Sequence, residues 1–324
     1  MSSDNCPVMV HNLTFRNLRP CCVSVRDDMH FIAAGFENSH IYLWSLEAQQ
    51  QSTTSSSSSN SQNNDDTIKI GTMFRLLAHS GPVYGIDFVR NNDLMLSCSE
   101  DTTIRLWCLD TKCNLIVYRG HNYPIWSISI GPRGDYFASA SMDSTARLWQ
   151  LDKICPLRIF CGHDNDVECV KFHPNGKYIA TGSSDSTVRL WSTSDGKMVR
   201  LMVGHTSPII SLSFLPNGKF LASASGNGAI KVWNLTTNCV TNDLSIPASQ
   251  TVSFSPEQLF VSSCGTDNVL RISQITESRP KERFRLDLNN HSAQLIHSVF
   301  LENNNLLVFD FCIENSSDER MDVN

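Results

Sequence analysis

The sequence has few charged residues and no long apolar run. Charged side chains make up 18% of its 324 residues, and no stretch approaches the roughly 18 apolar residues that a membrane-spanning helix needs. The first residues, MSSDNCPVMVHNLTF, lack a basic segment followed by an apolar one, so no signal peptide is predicted. The formal net charge of −6 gives no positive field that would attract phosphate groups. We therefore expect neither a membrane span nor direct nucleic-acid binding.

The sequence also lacks the patterns that mark metal sites and active sites. None of its 12 cysteines forms a C-x-x-C pair or another zinc-type spacing, and most lie in apolar, strand-like runs. Buried free thiols in a reducing compartment are therefore favoured over a disulfide framework or a metal site. The chain shows no phosphate-binding glycine loop and no single activated nucleophile. The sequence thus predicts no catalytic residue, no cofactor and no metal.

What the sequence does have is an internal repeat of 42 residues, in which four kinds of residue recur at one interval. These residues are the tryptophans Trp107, Trp149, Trp191 and Trp233, the histidines His79, His121, His163 and His205, the hydroxyl residues Ser97, Ser139, Thr181 and Ser223, and the turn residues Asp101, Asp143, Asp185 and Asn227. Four registers with the same period indicate a repeat architecture in which each repeat is one structural unit.

Each repeat has the pattern of short β-strands. Runs such as VECVKF (167–172) are rich in β-branched and apolar residues and are bounded by turn residues. PNGK at 174–177, which recurs at 216–219, is typical of a hairpin turn because Asn-Gly accepts the positive φ values of tight strand reversal. A unit of this length with four short strands is typical of a propeller blade, and the Gly-His and Trp spacing resembles the WD40 family.

The predicted fold is an all-β, seven-bladed WD40 propeller that is closed by an N-terminal strand. The first blade ends at Trp44, and the next four blades end at the tryptophans of the repeat. A sixth blade is assigned to VSSCGTDNVLRIS, with Asp267 in register and Ser273 at the tryptophan position. A seventh blade over residues 295–311 supplies two or three strands, and residues 7–15 are expected to add its outer strand, which would remove a free sheet edge.

We expect a single propeller domain over residues 7–314 and a flexible tail at 315–324. The interval of 63 residues between Trp44 and Trp107 exceeds the period of 42 by 21. A Ser-, Gln- and Asn-rich tract accounts for the surplus, since it cannot bury apolar surface. It predicts a disordered insertion over residues 47–67, between the first and second blades.

The recurring His, Ser or Thr and Asp could be the parts of a hydrolase. An active site is built once, however, whereas this set occurs in full three times and a fourth time with Asn227 in place of Asp. The alternative is a polar network within each blade, in which Asp accepts from the His ring, His bonds to the hydroxyl, and the hydroxyl accepts from the Trp indole. The sequence favours this structural role.

A candidate protein-binding face is predicted from positions that recur near the inner strands. Four of them stand five residues after the repeat histidines, and two stand just before the turn Asp. The face comprises Tyr84, Glu100, Trp126, Met142, Glu168 and Ile210. Aromatic and large apolar side chains of this kind are enriched at interface hot spots. Packing between blades is the alternative for Trp126 and Ile210. The one basic cluster, at 279–288, alternates with apolar residues and favours an outer strand over a site for an acidic partner.

Two stretches resemble one branch of the WD40 family. RGHNYPIWSISIGPRGDYFASASMDSTARLW (119–149) and PLRIFCGHDNDVECVKFHPNGKYIATGSSDSTVRLW (156–191) resemble the propeller of the WD40 TBP-associated factors of TFIID and of SAGA-type histone acetyltransferase complexes. The resemblance covers the propeller region only, because the helical region that precedes it in the family is not in this sequence. It implies a non-enzymatic, nuclear scaffold subunit that contacts histone-fold subunits of a transcription coactivator or initiation complex.

The alternative is a WD40 adaptor or substrate receptor of a ubiquitin ligase. Receptors of the cullin ligases carry W-D-x-R on a blade, and no such tetrapeptide occurs here. The residues that follow the blade tryptophans are Ser45, Cys108, Gln150, Ser192 and Asn234. The sequence therefore favours the transcription scaffold, with a hydrolase third.

Overall fold

A computed structural model describes residues 10–16, 20–47, 69–90, 92–237, 239–245, 249–255, 260–265, 269–274, 281–287, 293–300 and 306–312. These residues form 27 β-strands. Within those ranges no helix is long and apolar enough to cross a membrane.

Twenty-four of the strands form six antiparallel, four-stranded sheets, each from four strands consecutive in sequence. The first blade contains β2 (Pro20–Val25), β3 (Phe31–Phe36), β4 (Ile41–Glu47) and β5 (Lys69–Leu76); the second β6 (Val83–Phe88), β7 (Leu94–Ser99), β8 (Thr103–Cys108) and β9 (Asn114–Arg119); the third β10 (Ile125–Ile130), β11 (Tyr136–Ser141), β12 (Thr145–Gln150) and β13 (Arg158–Cys161); the fourth β14 (Val167–Phe172), β15 (Tyr178–Ser183), β16 (Thr187–Ser192) and β17 (Met198–Val203); the fifth β18 (Ile209–Phe214), β19 (Phe220–Ser225), β20 (Ala229–Asn234) and β21 (Cys239–Ser245); the sixth β22 (Ser249–Phe254), β23 (Phe260–Gly265), β24 (Val269–Gln274) and β25 (Lys281–Asp287).

The prediction of seven blades is wrong, because the structure has six four-stranded blades and a three-stranded sheet. That sheet contains β26 (Ala293–Phe300), β27 (Leu306–Cys312) and the N-terminal strand β1 (Val10–Arg16), in the order β1-β27-β26. Strand directions alternate along a blade, so a fourth strand runs parallel to the second. β1 has the direction of a fourth strand but pairs directly with the second strand, β27, and this pairing is therefore parallel. Within the described residues no strand lies between them.

The inner strands form a ring. Each first strand of a blade packs against the first strand of the next blade, and β26 packs against both β22 and β2. The three-stranded sheet therefore closes the ring between the sixth and first blades. The N-terminal strand thus joins the two ends of the described chain in one sheet, although not as the outer strand of a four-stranded blade.

The hydrophobic core lies between neighbouring blades. One cluster joins Leu96 and Leu106 of the second blade to Ile128, Phe137 and Trp149 of the third. The rings of Phe137 and Trp149 stack with their centroids 5.9 Å apart and both side chains are fully buried. Burying one such aromatic side chain contributes about 3 kcal/mol, so the packing between blades stabilises both neighbours.

Polar contacts also join the inner strands. A first strand has a second strand on one side only, so some of its backbone groups need partners outside its own blade. The Ile130 amide donates to Asp87 Oδ2 of the preceding blade (2.7 Å), and the Phe172 amide donates to Ser129 Oγ (3.2 Å). The Phe254 amide donates to Ser213 Oγ in the same way (3.3 Å). These side chains bond the second blade to the third, the third to the fourth and the fifth to the sixth.

Some sequence predictions lie at or beyond the limits of the described residues. Ser273 lies in β24 and pairs with Val261, which is the register in which Trp233 pairs with Leu221 in the fifth blade. The predicted insertion lies outside the described residues, apart from Glu47 at the end of β4, and so do Asp267 and the predicted tail at 315–324. The structure puts the insertion point within the first blade, between β4 and β5, rather than between the first two blades.

Candidate protein-interaction site

In the second, third and fourth blades, three hydrogen bonds join the four repeat residues. In the third blade His121 Nδ1 lies 2.7 Å from Asp143 Oδ2, His121 Nε2 lies 2.8 Å from Ser139 Oγ, and the Trp149 indole donates to the same Ser139 Oγ at 2.9 Å. The second blade has the same bonds at 2.9, 2.7 and 2.8 Å. The fourth blade has them at 2.8, 2.7 and 2.8 Å, with Thr181 as the hydroxyl residue.

Donor and acceptor chemistry fixes the direction of each network. A carboxylate only accepts and an indole N–H only donates. The histidine must therefore donate from Nδ1 to Asp and accept at Nε2 from the hydroxyl, and the hydroxyl oxygen accepts from tryptophan. Both ring nitrogens of the histidine, the hydroxyl oxygen and the indole N–H are hydrogen-bonded within the network, and the side chain of His121 is 0% exposed. A network satisfied in this way holds the loop before a blade against its second and third strands.

The environment shifts the pKa of both partners. Burial lowers the pKa of His121 and His163 below 6.5, although each donates to an Asp. Burial alone would raise the pKa of Asp143, but hydrogen bonds from His121 and Thr145 lower it to about 2. The pKa of Asp185 is lowered to about 2 by the hydrogen bonds of Thr187 and His163, which outweigh burial. At neutral pH the networks of the third and fourth blades therefore contain carboxylate and neutral imidazole.

The sequence analysis missed further members of these networks. Asp143 Oδ1 accepts from the amide (3.0 Å) and the hydroxyl (2.5 Å) of Thr145. Ser141 Oγ donates to the Pro124 carbonyl (2.8 Å) and accepts from the Asp143 amide (3.2 Å). These positions also recur every 42 residues, as Thr103, Thr145 and Thr187 and as Ser99, Ser141, Ser183 and Ser225. The same periodicity test would have found them.

The fifth blade departs from the predicted set. His205 Nε2 bonds to Ser223 Oγ (2.7 Å), but His205 Nδ1 bonds to Ser225 Oγ (3.0 Å) and not to Asn227. Ser225 Oγ in turn donates to Asn227 Oδ1 (2.6 Å). A neutral amide attracts the imidazole N–H less strongly than a carboxylate does, and the serine hydroxyl, which can both accept and donate, bridges the two.

Strand irregularities place the predicted face residues at one end of the ring. Tyr84, Trp126, Glu168 and Ile210 are each the second residue of the first strand of a blade. Each is skipped in the pairing with the second strand; for example, Val83 pairs with Ser99 and Gly85 pairs with Cys98. A β-bulge of this kind frees one residue from the ladder and redirects its side chain. Four neighbouring blades repeat the bulge, so the four side chains line one mouth of the ring.

The turns after the second strands meet these bulges. The amides of Glu100, Met142 and Ser184 donate to the carbonyls of the loops that precede the bulges, at 2.9 to 3.0 Å. Glu100 is thereby held beside Tyr84, whose hydroxyl donates to Glu100 Oε2 (3.1 Å).

The structure brings some of the predicted face residues into contact. The Tyr84 and Trp126 rings lie 4.9 Å apart at an angle of 50°, and Met142 is 43% exposed. In the second blade the strand residue Tyr84 donates to Glu100 on the turn, whereas in the fourth blade Ser184 Oγ on the turn donates to Glu168 Oε1 on the strand (2.6 Å). Ile210 lies at the equivalent position of the fifth blade and is partly buried. Tyr84, Glu100 and Trp126 therefore form one group of contacting side chains within the predicted face.

The first blade adds two residues that the sequence analysis did not assign. Cys21 is the bulged residue of β2, and Glu37 follows β3. Burial, and next the charge of Glu37, raise the pKa of Cys21 to about 11. Burial, the hydrogen bond to Glu100 and the nearby Cys21 and Glu37 raise the pKa of Tyr84 to about 12. The 21-residue surplus hid their register, since Cys21 precedes Tyr84 by 63 residues rather than 42.

The opposite mouth of the ring contains a cavity of about 910 Å³. The ends of the first strands and the loops after them line it, and its charged side chains are Arg26, Asp27, Asp28, Asp87, Arg90 and Lys171. Arg26 forms ion pairs with Asp28 (2.9 Å) and Asp93 (2.6 Å), and Arg90 forms one with Asp27 (2.9 Å). Positive and negative groups balance there, so this mouth has no single charge preference.

The repeats match a known family. The sequence profile described as WD domain, G-beta repeat matches residues 71–108, 112–150, 154–192 and 196–234. Each segment ends one residue after a tryptophan of the repeat. Together with the four-stranded sheets, these matches show that residues 71–234 consist of four WD40 repeats.

Three relatives identify the branch. The SAGA complex/transcription factor TFIID complex subunit Taf5 of Schizosaccharomyces pombe is 43% identical over 97 residues, which are 30% of this chain and 14% of the relative. Transcription initiation factor TFIID subunit 5 of Encephalitozoon cuniculi is 31% identical over 120 residues, 35% of this chain and 21% of the relative. The TAF5-like RNA polymerase II p300/CBP-associated factor-associated factor 65 kDa subunit 5L of Mus musculus is 42% identical over 105 residues, 29% of this chain and 18% of the relative.

The similar segments span between 14% and 21% of the length of these curated relatives. In its propeller region the chain is similar to the WD40 TBP-associated factors, and the resemblance predicted from residues 119–191 is confirmed.

Proposed function

We propose that the chain is a non-enzymatic scaffold subunit of a TFIID or SAGA-type transcription complex in the nucleus, where it contacts histone-fold subunits. The observation that carries this proposal is the similarity of its propeller region to proteins that are named as subunits of TFIID and SAGA. The six blades and the closing sheet supply a rigid ring with two mouths, which suits an interaction platform.

The repeat networks support a structural rather than a catalytic role. A serine nucleophile needs an exposed oxygen that substrate can reach. Ser97, Ser139 and Thr181 are 0% exposed, and each oxygen is already engaged by a histidine and a tryptophan. The histidines have both ring nitrogens occupied as well. The residues that resemble a hydrolase active site therefore already use these hydrogen-bonding groups for contacts within their own blade.

The mouth at Tyr84, Glu100, Trp126, Met142, Glu168 and Ile210 is the proposed contact surface. Its side chains come from four blades whose inner strands pack against one another, so the surface is held in place before a partner binds. Preorganisation of this kind reduces the entropy lost on binding. The partly exposed rings of Tyr84 and Trp126 are the residue types that dominate interface energetics.

Affinity purification of the full chain from nuclear extract, with identification of the co-eluting proteins, tests the assignment. TFIID or acetyltransferase-complex subunits, including histone-fold proteins, are the expected result. Recovery of a cullin and its adaptor would instead assign the chain to ubiquitin ligation and would contradict the proposal.

A further inference from the structure

The mouth that contains Tyr84 is acidic. Its loops and strand starts in the second to fifth blades are residues 77–84, 100–102, 120–126, 142–144, 162–168, 184–186, 204–210 and 226–228. Beyond the network carboxylates these segments carry Glu100, Asp164, Asp166 and Glu168, and they contain no Lys or Arg.

Two cations close to this mouth are already paired with network carboxylates. Arg147 and Arg189 come from the third strands of the third and fourth blades and lie 3.3 Å from Asp143 and 3.6 Å from Asp185. Both side chains are mostly buried, at 14% and 12% exposure, and their charges are paired with the network carboxylates. The charged side chains that line the cavity at the opposite mouth are balanced, whereas the loops and strand starts of this mouth carry negative side chains without Lys or Arg.

An aromatic pair lies within the acidic mouth. Trp126 is the one tryptophan that is not buried, since the other five are 1–5% exposed. The centroids of its ring and of the Tyr84 ring lie 4.9 Å apart, with the ring planes at 50° to each other, and both side chains are partly exposed. Among the described residues the Trp126 indole N–H has no hydrogen-bond partner, although solvent hardly reaches it. An unused donor of this kind costs free energy until an acceptor from a partner reaches it.

Hydroxyl groups hold two carboxylates beside these rings. Tyr84 donates to Glu100 and Ser184 donates to Glu168, and the inner strands that carry Tyr84, Trp126 and Glu168 are neighbours in the ring. Burial raises the pKa of Glu168, which shows that its charge is poorly solvated. A cation placed near it would replace the missing hydration.

We infer that this mouth binds a Lys or Arg side chain from an extended segment of a partner protein. The cation lies over the Tyr84 and Trp126 rings beside the Glu100 and Glu168 carboxylates, and a backbone carbonyl of the segment accepts from the Trp126 indole. Ring faces attract cations through their negative quadrupole, and the attraction increases when water is excluded. This inference rests on the proposed function because it takes the same face as the contact surface, and it adds the chemistry of the partner.

The test uses the full chain and four synthetic Gly/Ser peptides of equal length. The central residue of each peptide is Arg, Lys, citrulline or Glu; citrulline has the shape of Arg without the charge. Binding is followed by calorimetry and by tryptophan fluorescence, which reports on Trp126 because the other tryptophans are buried. The Arg or Lys peptide is expected to bind at least about tenfold more tightly than the citrulline and Glu peptides, and the difference should shrink as salt is added.

Two variants make the test specific. The double variant Glu100→Gln/Glu168→Gln keeps the shape of the mouth and removes these two negative charges. It should lower the affinity for the Arg or Lys peptide by about tenfold or more. Asp110→Asn with Asp152→Asn removes two exposed carboxylates from turns at the opposite end and should change affinity less than about twofold. Equal affinity for the Arg and citrulline peptides, absence of binding by either cationic peptide, or full affinity in the Glu variant would overturn the inference.

The outcome is separable from that of the proposed function. A chain that recovers TFIID or acetyltransferase subunits but ignores the cationic peptides would keep the function and lose this inference. A chain that binds the cationic peptides but recovers a ubiquitin ligase would keep the cation site and lose the function.

Discussion

Replacing Asp143 by Ala tests whether a repeat network stabilises its blade. The carboxylate accepts from His121 Nδ1 (2.7 Å) and from the amide (3.0 Å) and hydroxyl (2.5 Å) of Thr145. The side chain of His121 is 0% exposed, so water cannot take over the lost acceptor. The Thr145 groups are partly exposed and can bind water instead, and so can the Arg147 guanidinium, which lies 3.3 Å from Asp143 Oδ2 and is 14% exposed. The main cost is therefore one buried imidazole N–H without its charged acceptor, which is about 2–3 kcal/mol.

The loss should appear as a lower urea midpoint with an unchanged m-value. At about 2 °C for each kcal/mol in a long chain, the melting temperature should fall by about 4–6 °C. Asp135→Ala is the matched control, because Asp135 is an exposed residue of the hairpin turn in the same blade. The control should lie within about 0.5 kcal/mol of the wild type.

Two results would refute the reasoning behind Asp143→Ala. A loss no larger than that of Asp135→Ala would show that the network contributes nothing to stability. An enzymatic activity that disappears in Asp143→Ala while the melting temperature stays constant would show that the set is catalytic. Additive losses in the double variant with Asp185→Ala are expected, because the two networks share no residue.

Three further predictions concern the same fold. Burial lowers the pKa of His121 and His163 below 6.5, so the unfolded chain binds more protons and the free energy of unfolding should fall as pH drops through 6.5. It should fall again below pH 3.8, where Asp143 and Asp185, with folded pKa values of about 2, keep their charge only in the folded chain. In a pH series of urea melts, His163→Gln should make the first of these two steps smaller. Ser225→Ala should cost about 1 kcal/mol more than Ser183→Ala by urea denaturation, because only Ser225 bonds to the histidine of its blade, and equal losses would argue against the bridge. Asp87→Ala should lower the free energy of unfolding by about 1–2 kcal/mol, because the Ile130 amide loses its acceptor. Asp87→Ser should recover most of this loss, because Ser129 and Ser213 accept from the equivalent amides in other blades, and a serine variant as unstable as the alanine variant would contradict that contact.

The period of 42 residues made most of the fold predictable. It located the histidines, hydroxyl residues, turn residues and tryptophans of the second to fifth blades, because identical spacing in several units implies identical geometry. The blade count failed where the period ended. The sequence assigned a seventh blade to residues 295–311. In the structure β1 pairs directly and in parallel with β27, without a third strand between them among the described residues. This pairing joins strands from the two ends of the described chain, so no local sequence pattern encodes it.

The candidate site was predictable in position but not in its contacts. Register alone placed Tyr84 and Trp126 at equivalent positions in adjacent blades, whereas their ring contact and the Tyr84–Glu100 bond depend on side-chain rotamers that periodicity does not reveal. The same limit applies to Asn227, since the bridging role of Ser225 follows from the change of a carboxylate to an amide in its tertiary setting. Asp87 was missed because its partner, the Ile130 amide, lies in another repeat.

The most direct test of the account is co-purification of coactivator subunits with the variant Tyr84→Ala/Trp126→Ala. Its control is Tyr136→Ala/Leu115→Ala, which removes two large side chains that are 42% and 52% exposed elsewhere on the blades. Each aromatic anchor contributes about 2 kcal/mol, or some thirtyfold in affinity. The Tyr84 variant should lose the TFIID or acetyltransferase subunits while circular dichroism shows it folded, and the control should retain them. Retention by the Tyr84 variant together with loss by the control would place the interface elsewhere and contradict the account.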